Sequence, residues 1–314
     1  MPWLEGAIDL SAAHVVEVGC GFGSSTAAIP SRARHVTGFD IDEGSVKAAE
    51  ARCRAYGRHN VTVSAVPAAE ILDAVKRAPP ADVYLLYAVL EHCTYGERLE
   101  MLGTLWGLLP PGGHLAIVET PNRFAYLDKH TTETPFFHLL PDELAFRYLD
   151  RVPRVAFRDS MRAPLAQGFA EASLARIRWG LGASHHEFEL ALKEPIAELV
   201  VLDGYEPEMM ASWGEDIDEA LLVRFFLERV PDVPMAFARA VLNLVLRKPA
   251  SDGDRASARD RARARREELA RVRASQAPTI APAHSQSAPP TPREALGVLR
   301  RWAMDRARAL LRRH

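Results

Sequence analysis

No disulfide framework, membrane span or secretory leader is expected in this 314-residue chain. Its three cysteines, Cys20, Cys53 and Cys93, are widely spaced and odd in number, which argues against a disulfide framework and a clustered zinc site. A reducing cytoplasm is the expected setting. No apolar run approaches the roughly 20 residues that cross a bilayer. The opening Met1-Pro-Trp-Leu-Glu5 lacks the basic and apolar regions of a leader. Lysine is absent after residue 250, where 15 arginines face seven acids. That segment therefore carries +8, and residues 1–250 carry −10, although the whole chain sums to only −2. The asymmetry predicts an acidic globular body with a basic appendage. The basic appendage lacks interleaved aromatics and the body is acidic, so no nucleic-acid partner is expected.

What is present is ordinary globular composition, 48% hydrophobic and 25% charged, with a clear order. Strand signals at His14–Val16, His35–Asp40, Asn60–Ser64, Asp82–Tyr87 and His114–Glu119 alternate with helical patterns over Ser45–Tyr56, Ala68–Lys76 and Glu97–Leu109. The near-continuous apolar run Val83–Leu86 suits a strand buried on both faces of a parallel sheet. Repeated units of this length predict an α/β fold with a doubly wound, mostly parallel sheet, whose ligands bind beyond the carboxyl ends of the strands. Residues 121–230 break the alternation and read as an elaboration over that edge, with helices at Asp142–Asp150 and Ile217–Arg229. Asn243–Lys248 reads as a closing strand.

Between the first strand and its helix lies Glu17-Val-Gly-Cys-Gly-Phe-Gly23. Glycines let backbone approach a ligand, and a helix start offers free N–H groups. A dinucleotide loop needs G-x-G-x-x-G, but Ser24 stands where its third glycine belongs. Glycines at 19, 21 and 23 with an acid at 17 resemble the first motif of class I S-adenosylmethionine (SAM) methyltransferases. The resemblance covers about residues 10–120 and the closing strand. It implies a Rossmann-like methyltransferase domain over 1–250, with an insertion after strand five, and SAM as cofactor. The cofactor set it implies is Glu17, Gly19, Cys20, Gly21, Gly23, Asp40, Ile41 and Ala88, with Asp40 taking the ribose hydroxyls. Asp42 is the positional rival, and either acid could instead start a helix. The family's acid after strand three is missing here, so Val66 or Ala68 is expected to meet the adenine.

Tyr87-Ala-Val-Leu-Glu91-His92 resembles the L-E-H segment of small-molecule methyltransferases. Some relatives hold a metal through E-x-x-E-H, but Ala88 replaces the first Glu. No metal is expected, and His92 is read as packing beneath the cofactor, although Glu91, His92 and a distant His have the donor chemistry for a divalent ion. The segment Glu119-Thr-Pro-Asn-Arg123 through His130-Thr-Thr to Phe136-Phe-His138 resembles bacterial enzymes that methylate surface glycans. A hydroxyl acceptor needs a general base, and His130, His138 and Asp128 are the candidates, backed by His185, His186 and Glu187. Each histidine has a competing role in pinning the loop. Phe136, Phe137 and Trp179 wall the acceptor pocket or fill a core.

The resemblance implies an O-methyltransferase of a sugar or glycan hydroxyl, or of a similar small polar acceptor. A phenolic or quinone-type acceptor is one alternative, and a non-catalytic SAM-binding scaffold another. Residues 251–292 read as an Arg/Ala-rich then Pro/Ser-rich linker. Thr291-Pro-Arg-Glu294 starts a basic amphipathic helix over 293–314. That helix is expected to touch a protein partner, another copy of the chain or the anionic inner membrane surface, keeping the enzyme cytoplasmic and peripheral, with a solvated terminal helix as the alternative.

Overall fold

The computed structural model describes residues 2–204, 206, 209, 217–230 and 233–276. The Pro/Ser-rich half of the linker from residue 277 and the helix expected over 293–314 lie outside the described residues. Two compact units divide the chain at 271/272, and of the second only residues 272–276 are described.

Seven strands, β1 His14–Val18, β2 His35–Asp40, β3 Val61–Ala65, β4 Val83–Tyr87, β5 His114–Pro121, β6 Val200–Leu202 and β7 Val241–Arg247, form one sheet. Their order is β3-β2-β1-β4-β5-β7-β6. The first five run parallel; β7 is antiparallel to β5, and β6 to β7. This is the doubly wound, mostly parallel α/β sheet expected from the sequence. Alternation along each strand feeds two cores. Val16, Val18, Tyr84 and Leu86 point into one, and Val15, Val83, Leu85 and Val118 into the other. Every residue of β1 is buried, as a central parallel strand requires.

On the parallel side the helices are α1 Ser24–Ala28, α2 Glu43–Ala55, α3 Ile71–Arg77 and α4 Tyr95–Leu108. The last begins two residues before the apolar pattern suggests, because Thr94 and Glu97 close a capping box around its first turn. Connections run outward from β1 to β2 and β3, then return to β4 and β5, so the chain reverses direction between β1 and β4. Ligands bind at this switch point in such sheets.

After β5 the chain builds a helical elaboration, α5 Asp142–Tyr148, α6 Val155–Ser160, α7 Arg162–Gln167, α8 Phe169–Gly180 and α9 His185–Leu192. It has its own small core of Phe137, Leu149, Phe157 and Met161, with Trp179 edge-on to Phe157. Helices α10 Ile217–Arg229 and α11 Asp252–Gln276 follow. The sequence placed a solvated linker from residue 251, yet α11 is tied down. Arg255 pairs with Glu194, Arg259 with Glu198 at 2.7 Å, and Arg266 donates to the Val230 carbonyl at 2.6 Å. Arg266 thus joins the Phe226 and Val230 carbonyls at the end of α10, which also accept the Val230 and Val233 amides. Arginine-rich composition hid these long-range partners, and the compact unit of the described residues runs on to Arg271. Among the described residues no helix is long and apolar enough to cross a membrane.

Candidate functional site

Three left-handed glycines make the loop after β1: φ is +77° at Gly19, +48° at Gly21 and +73° at Gly23. Their jobs differ. A Cβ on Gly19 would lie 2.4 Å from Val89 Cγ2, and one on Gly23 would lie 2.8 Å from the Ala49 Cα of α2, whereas one on Gly21 meets nothing. Gly19 and Gly23 therefore serve close packing, and Gly21 leaves room for a ligand. Beneath the loop, Glu17 is fully buried; it accepts hydrogen bonds from the hydroxyls of Ser25 and, at 2.6 Å, Thr26. Glu17 thus braces the start of α1 and does not line the cavity.

Burial lifts the Glu17 carboxyl from its ordinary 4.5 to about 7, against the pull of the two hydroxyls. Between these values the folded chain keeps a proton that the unfolded chain has lost, so rising pH favours unfolding. We expect the stability difference between wild type and Glu17→Gln to shift against wild type by about 1.4 kcal/mol per pH unit across this window. Urea titrations of both proteins at pH 5, 6 and 7 check this, and a pH-independent difference would refute it.

A cavity of about 1520 Å³ opens over the switch point. Of the expected cofactor residues, Gly19, Cys20, Gly21, Asp40, Ile41 and Ala88 line it, and Glu17 and Gly23 support it from outside. The Asp40 carboxylate accepts the Gly21 N–H at 2.6 Å and the Asp42 N–H at 3.0 Å. The Asp42 side chain instead accepts the Ser45 N–H at 2.7 Å as the N-cap of α2. That separates the two rivals: only Asp40 faces the cavity. Ala68, Ala69 and Leu72 supply an apolar wall near β3, while Val66 packs into the core. The Cys20 thiol is pushed up to about 12, chiefly by burial, so it is no nucleophile near neutrality.

The catalytic candidates fall elsewhere. Asp128 and His138 are buried at 1% and 3% exposure and do not line the cavity. Asp128 accepts the amides of Thr131 and Thr132 at 2.8 and 3.0 Å, the Thr132 hydroxyl at 2.7 Å, and faces His138 Nε2 at 3.1 Å. Burial pushes its pKa up, but His138, Thr132 and the Thr131 amide outweigh that and leave it below 3.8. This is a lock on the loop after β5. His130 stands outside the lining, against His92, with ring centroids 5.9 Å apart. His185 and His186 stack at 3.8 Å beside Phe124, away from the cavity. Glu187 caps α9 and pairs at 2.9 Å with the fully buried Arg98. Phe137 and Trp179 belong to the elaboration's core, and Phe136 is exposed.

The cavity instead presents polar groups the motifs did not single out. Tyr87 ends β4, and its hydroxyl donates to Glu119 of β5. Glu119 sits in left-handed backbone at φ +56° within a bulge between Ile117 and Thr120, and its N–H donates to Asn243 Oδ1 at 3.0 Å. The bulge breaks the strand's alternation and brings the carboxylate beside Tyr87. Arg178 of α8 reaches the opposite wall, bidentate to Glu97 at 2.6 Å, and donates to the His92 carbonyl at 2.7 Å. The available signal for Tyr87 and Glu119 was their place at the carboxyl ends of parallel strands.

Residues 16–115 match a family described as a methyltransferase domain. A protein of Mycolicibacterium smegmatis, described as a probable S-adenosylmethionine-dependent methyltransferase, is 31% identical over 124 residues. The match covers 40% of this chain and 44% of that relative, so the chain spans less than half of its length. Among solved structures, a SAM-dependent methyltransferase from Methanosarcina mazei is 20% identical, with a TM-score of 0.33 over 39% of this chain and 58% of that one. Magnesium protoporphyrin IX methyltransferase from Synechocystis with bound SAM is 23% identical, with a TM-score of 0.33 over 39% and 56%.

Proposed function

We propose that this protein, whose residues 16–115 belong to the methyltransferase domain family, binds SAM over the β1 loop and transfers its methyl group to a hydroxyl. The acceptor is a sugar, a glycan or a similar small polar molecule. The observation that carries the cofactor assignment is Asp40, the one of two rival acids that faces the cavity beside the open Gly21. A carboxylate there accepts both vicinal hydroxyls of a ribose, while the apolar wall of Ala68, Ala69 and Leu72 suits an adenine.

Methyl transfer is an in-line displacement. The acceptor oxygen forms a bond to the methyl carbon as the carbon–sulfur bond breaks, SAM leaves as neutral S-adenosylhomocysteine, and the acceptor loses its proton. The chain must hold the two reactants in line, exclude water and take that proton. Glu119 fits the last task, since it lines the cavity and its Tyr87 partner marks where a second hydroxyl can dock. Trp3 and Met209 on the same lining favour a second reading, a phenolic acceptor packed against that wall.

Asp40→Ala is expected to weaken SAM binding about 10- to 100-fold by calorimetry. Asp42→Ala should leave affinity unchanged and cost about 1 kcal/mol of stability through the lost cap. Tight NAD binding without SAM binding would overturn the cofactor assignment. Retention of a cellular role by a SAM-binding-deficient Asp40→Ala chain would favour a scaffold over an enzyme.

A further inference from the structure

We infer that Glu91, His92 and His130 form a site for one divalent transition-metal ion at the edge of the cavity. One donor atom from each lies within 4.8 Å of the others, and His92 Nε2 is 3.9 Å from Glu91 Oε1. Three donors at ~2.0–2.1 Å from one ion stand roughly 3.3 Å apart, so an inward movement on the order of 1 Å completes the set.

The surroundings prepare each donor. Glu91 is fully buried, and neither carboxylate oxygen has a hydrogen-bond partner. The nearby Arg98 guanidinium is spent on the carbonyls of Cys93, Leu181 and Gly182 and on Glu187. The neighbouring Thr120 hydroxyl, itself without a partner at hydrogen-bond geometry, is a weak substitute, and a buried carboxylate so poorly served is costly unless something cationic joins it. His92 Nδ1 lies 2.9 Å from the Arg178 carbonyl, which fixes the proton on Nδ1 and leaves the Nε2 lone pair toward Glu91. His130 Nδ1 lies 3.3 Å from the Thr131 hydroxyl, whose own proton goes to the Gly180 carbonyl. The hydroxyl can then only accept from Nδ1, so His130 also keeps a free lone pair on Nε2. Imidazoles whose second nitrogen donates to protein oxygen are the usual arrangement around bound metals.

The backbone is shaped for this approach. Gly180 has φ +140°, and a Cβ there would lie 2.3 Å from His130 Cε1. Arg154 donates to the His130 carbonyl and lies over the Trp179 ring of α8, 4.9 Å from its centroid, which ties the loop to that helix. Two imidazoles and one carboxylate select zinc, cobalt or iron(II) over magnesium or calcium, and they leave coordination positions open. Because His92 lines the cavity, the ion would offer a Lewis acid to an oxygen-bearing acceptor. That consequence rests on the methyltransferase reading; ion binding itself does not.

The test uses the full chain, stripped with chelator and free of SAM, titrated with Co²⁺ by absorbance and with Zn²⁺ by calorimetry. One equivalent should bind, with visible cobalt bands from nitrogen and oxygen ligands. His92→Asn, Glu91→Gln and His130→Ala should each weaken binding more than about tenfold. His186→Ala, at an exposed position outside the cluster, should leave it unchanged. His92 is exposed, so its variant decides the matter if a buried one misfolds. Absence of binding by the wild type, or undiminished binding by His92→Asn, would overturn the site whatever becomes of SAM binding.

Discussion

Glu119→Gln is expected to lower kcat about 10²- to 10⁴-fold, the usual worth of a positioned general base, with SAM affinity nearly unchanged. The glutamine keeps the volume and the contact to the Tyr87 hydroxyl but cannot take the acceptor's proton. Position 119 is held at some expense. A non-glycine residue in left-handed backbone costs about 1–2 kcal/mol, and the Asn243 side chain of β7 fixes it there through the Glu119 amide. Such strain persists where the surroundings over-determine it, and it clusters at functional sites. Single-turnover methylation of a hydroxyl acceptor, with SAM binding measured in parallel, separates chemistry from affinity. A kcat close to wild type would move the base away from Glu119, and parallel losses of affinity and rate would point to damaged cofactor binding.

Asp128→Ala is expected to destabilise the protein by about 3–5 kcal/mol, because it strands a buried imidazole and three donors at once. The carboxylate gathers Thr131, Thr132 and His138 into one turn, and Arg176 fastens the following segment through the carbonyls of Phe137 and Leu140, each at 3.0 Å. Denaturant titration should show the loss, and limited proteolysis should cut first within residues 129–140. The variant also separates the two roles the sequence allowed. A catalytic Asp128 would leave stability intact while abolishing turnover; a lock does the reverse in Asp128→Asn, which retains an acceptor and should keep much of the activity.

The sheet was legible because its cause is local. Apolar runs of five or six residues, punctuated by Gly and Pro, specify buried parallel strands wherever they occur, and the glycine loop announces its own backbone conformation. The doubly wound topology and the closing strand followed from that alternation, whereas the strand order and the short edge strand β6 came from the structure. Helix starts were less legible; the Thr94 box was overlooked because its partner Glu97 reads equally well as a first helical residue.

By itself, then, the sequence determined the doubly wound sheet, the Gly19–Gly23 loop and an acid at the end of β2, all features whose physics is complete within a few residues. Tertiary structure decided what each polar group has left to give. It committed Asp42 to a helix cap and left Asp40 facing the cavity, locked Asp128 and His138 inside a turn, and swung Glu119 beside Tyr87 through a bulge. It also brought His130 to Glu91 and His92 across about 40 positions of sequence. A side chain's chemistry depends on which partners already occupy its lone pairs and protons, and those partners come from distant segments that no local pattern identifies.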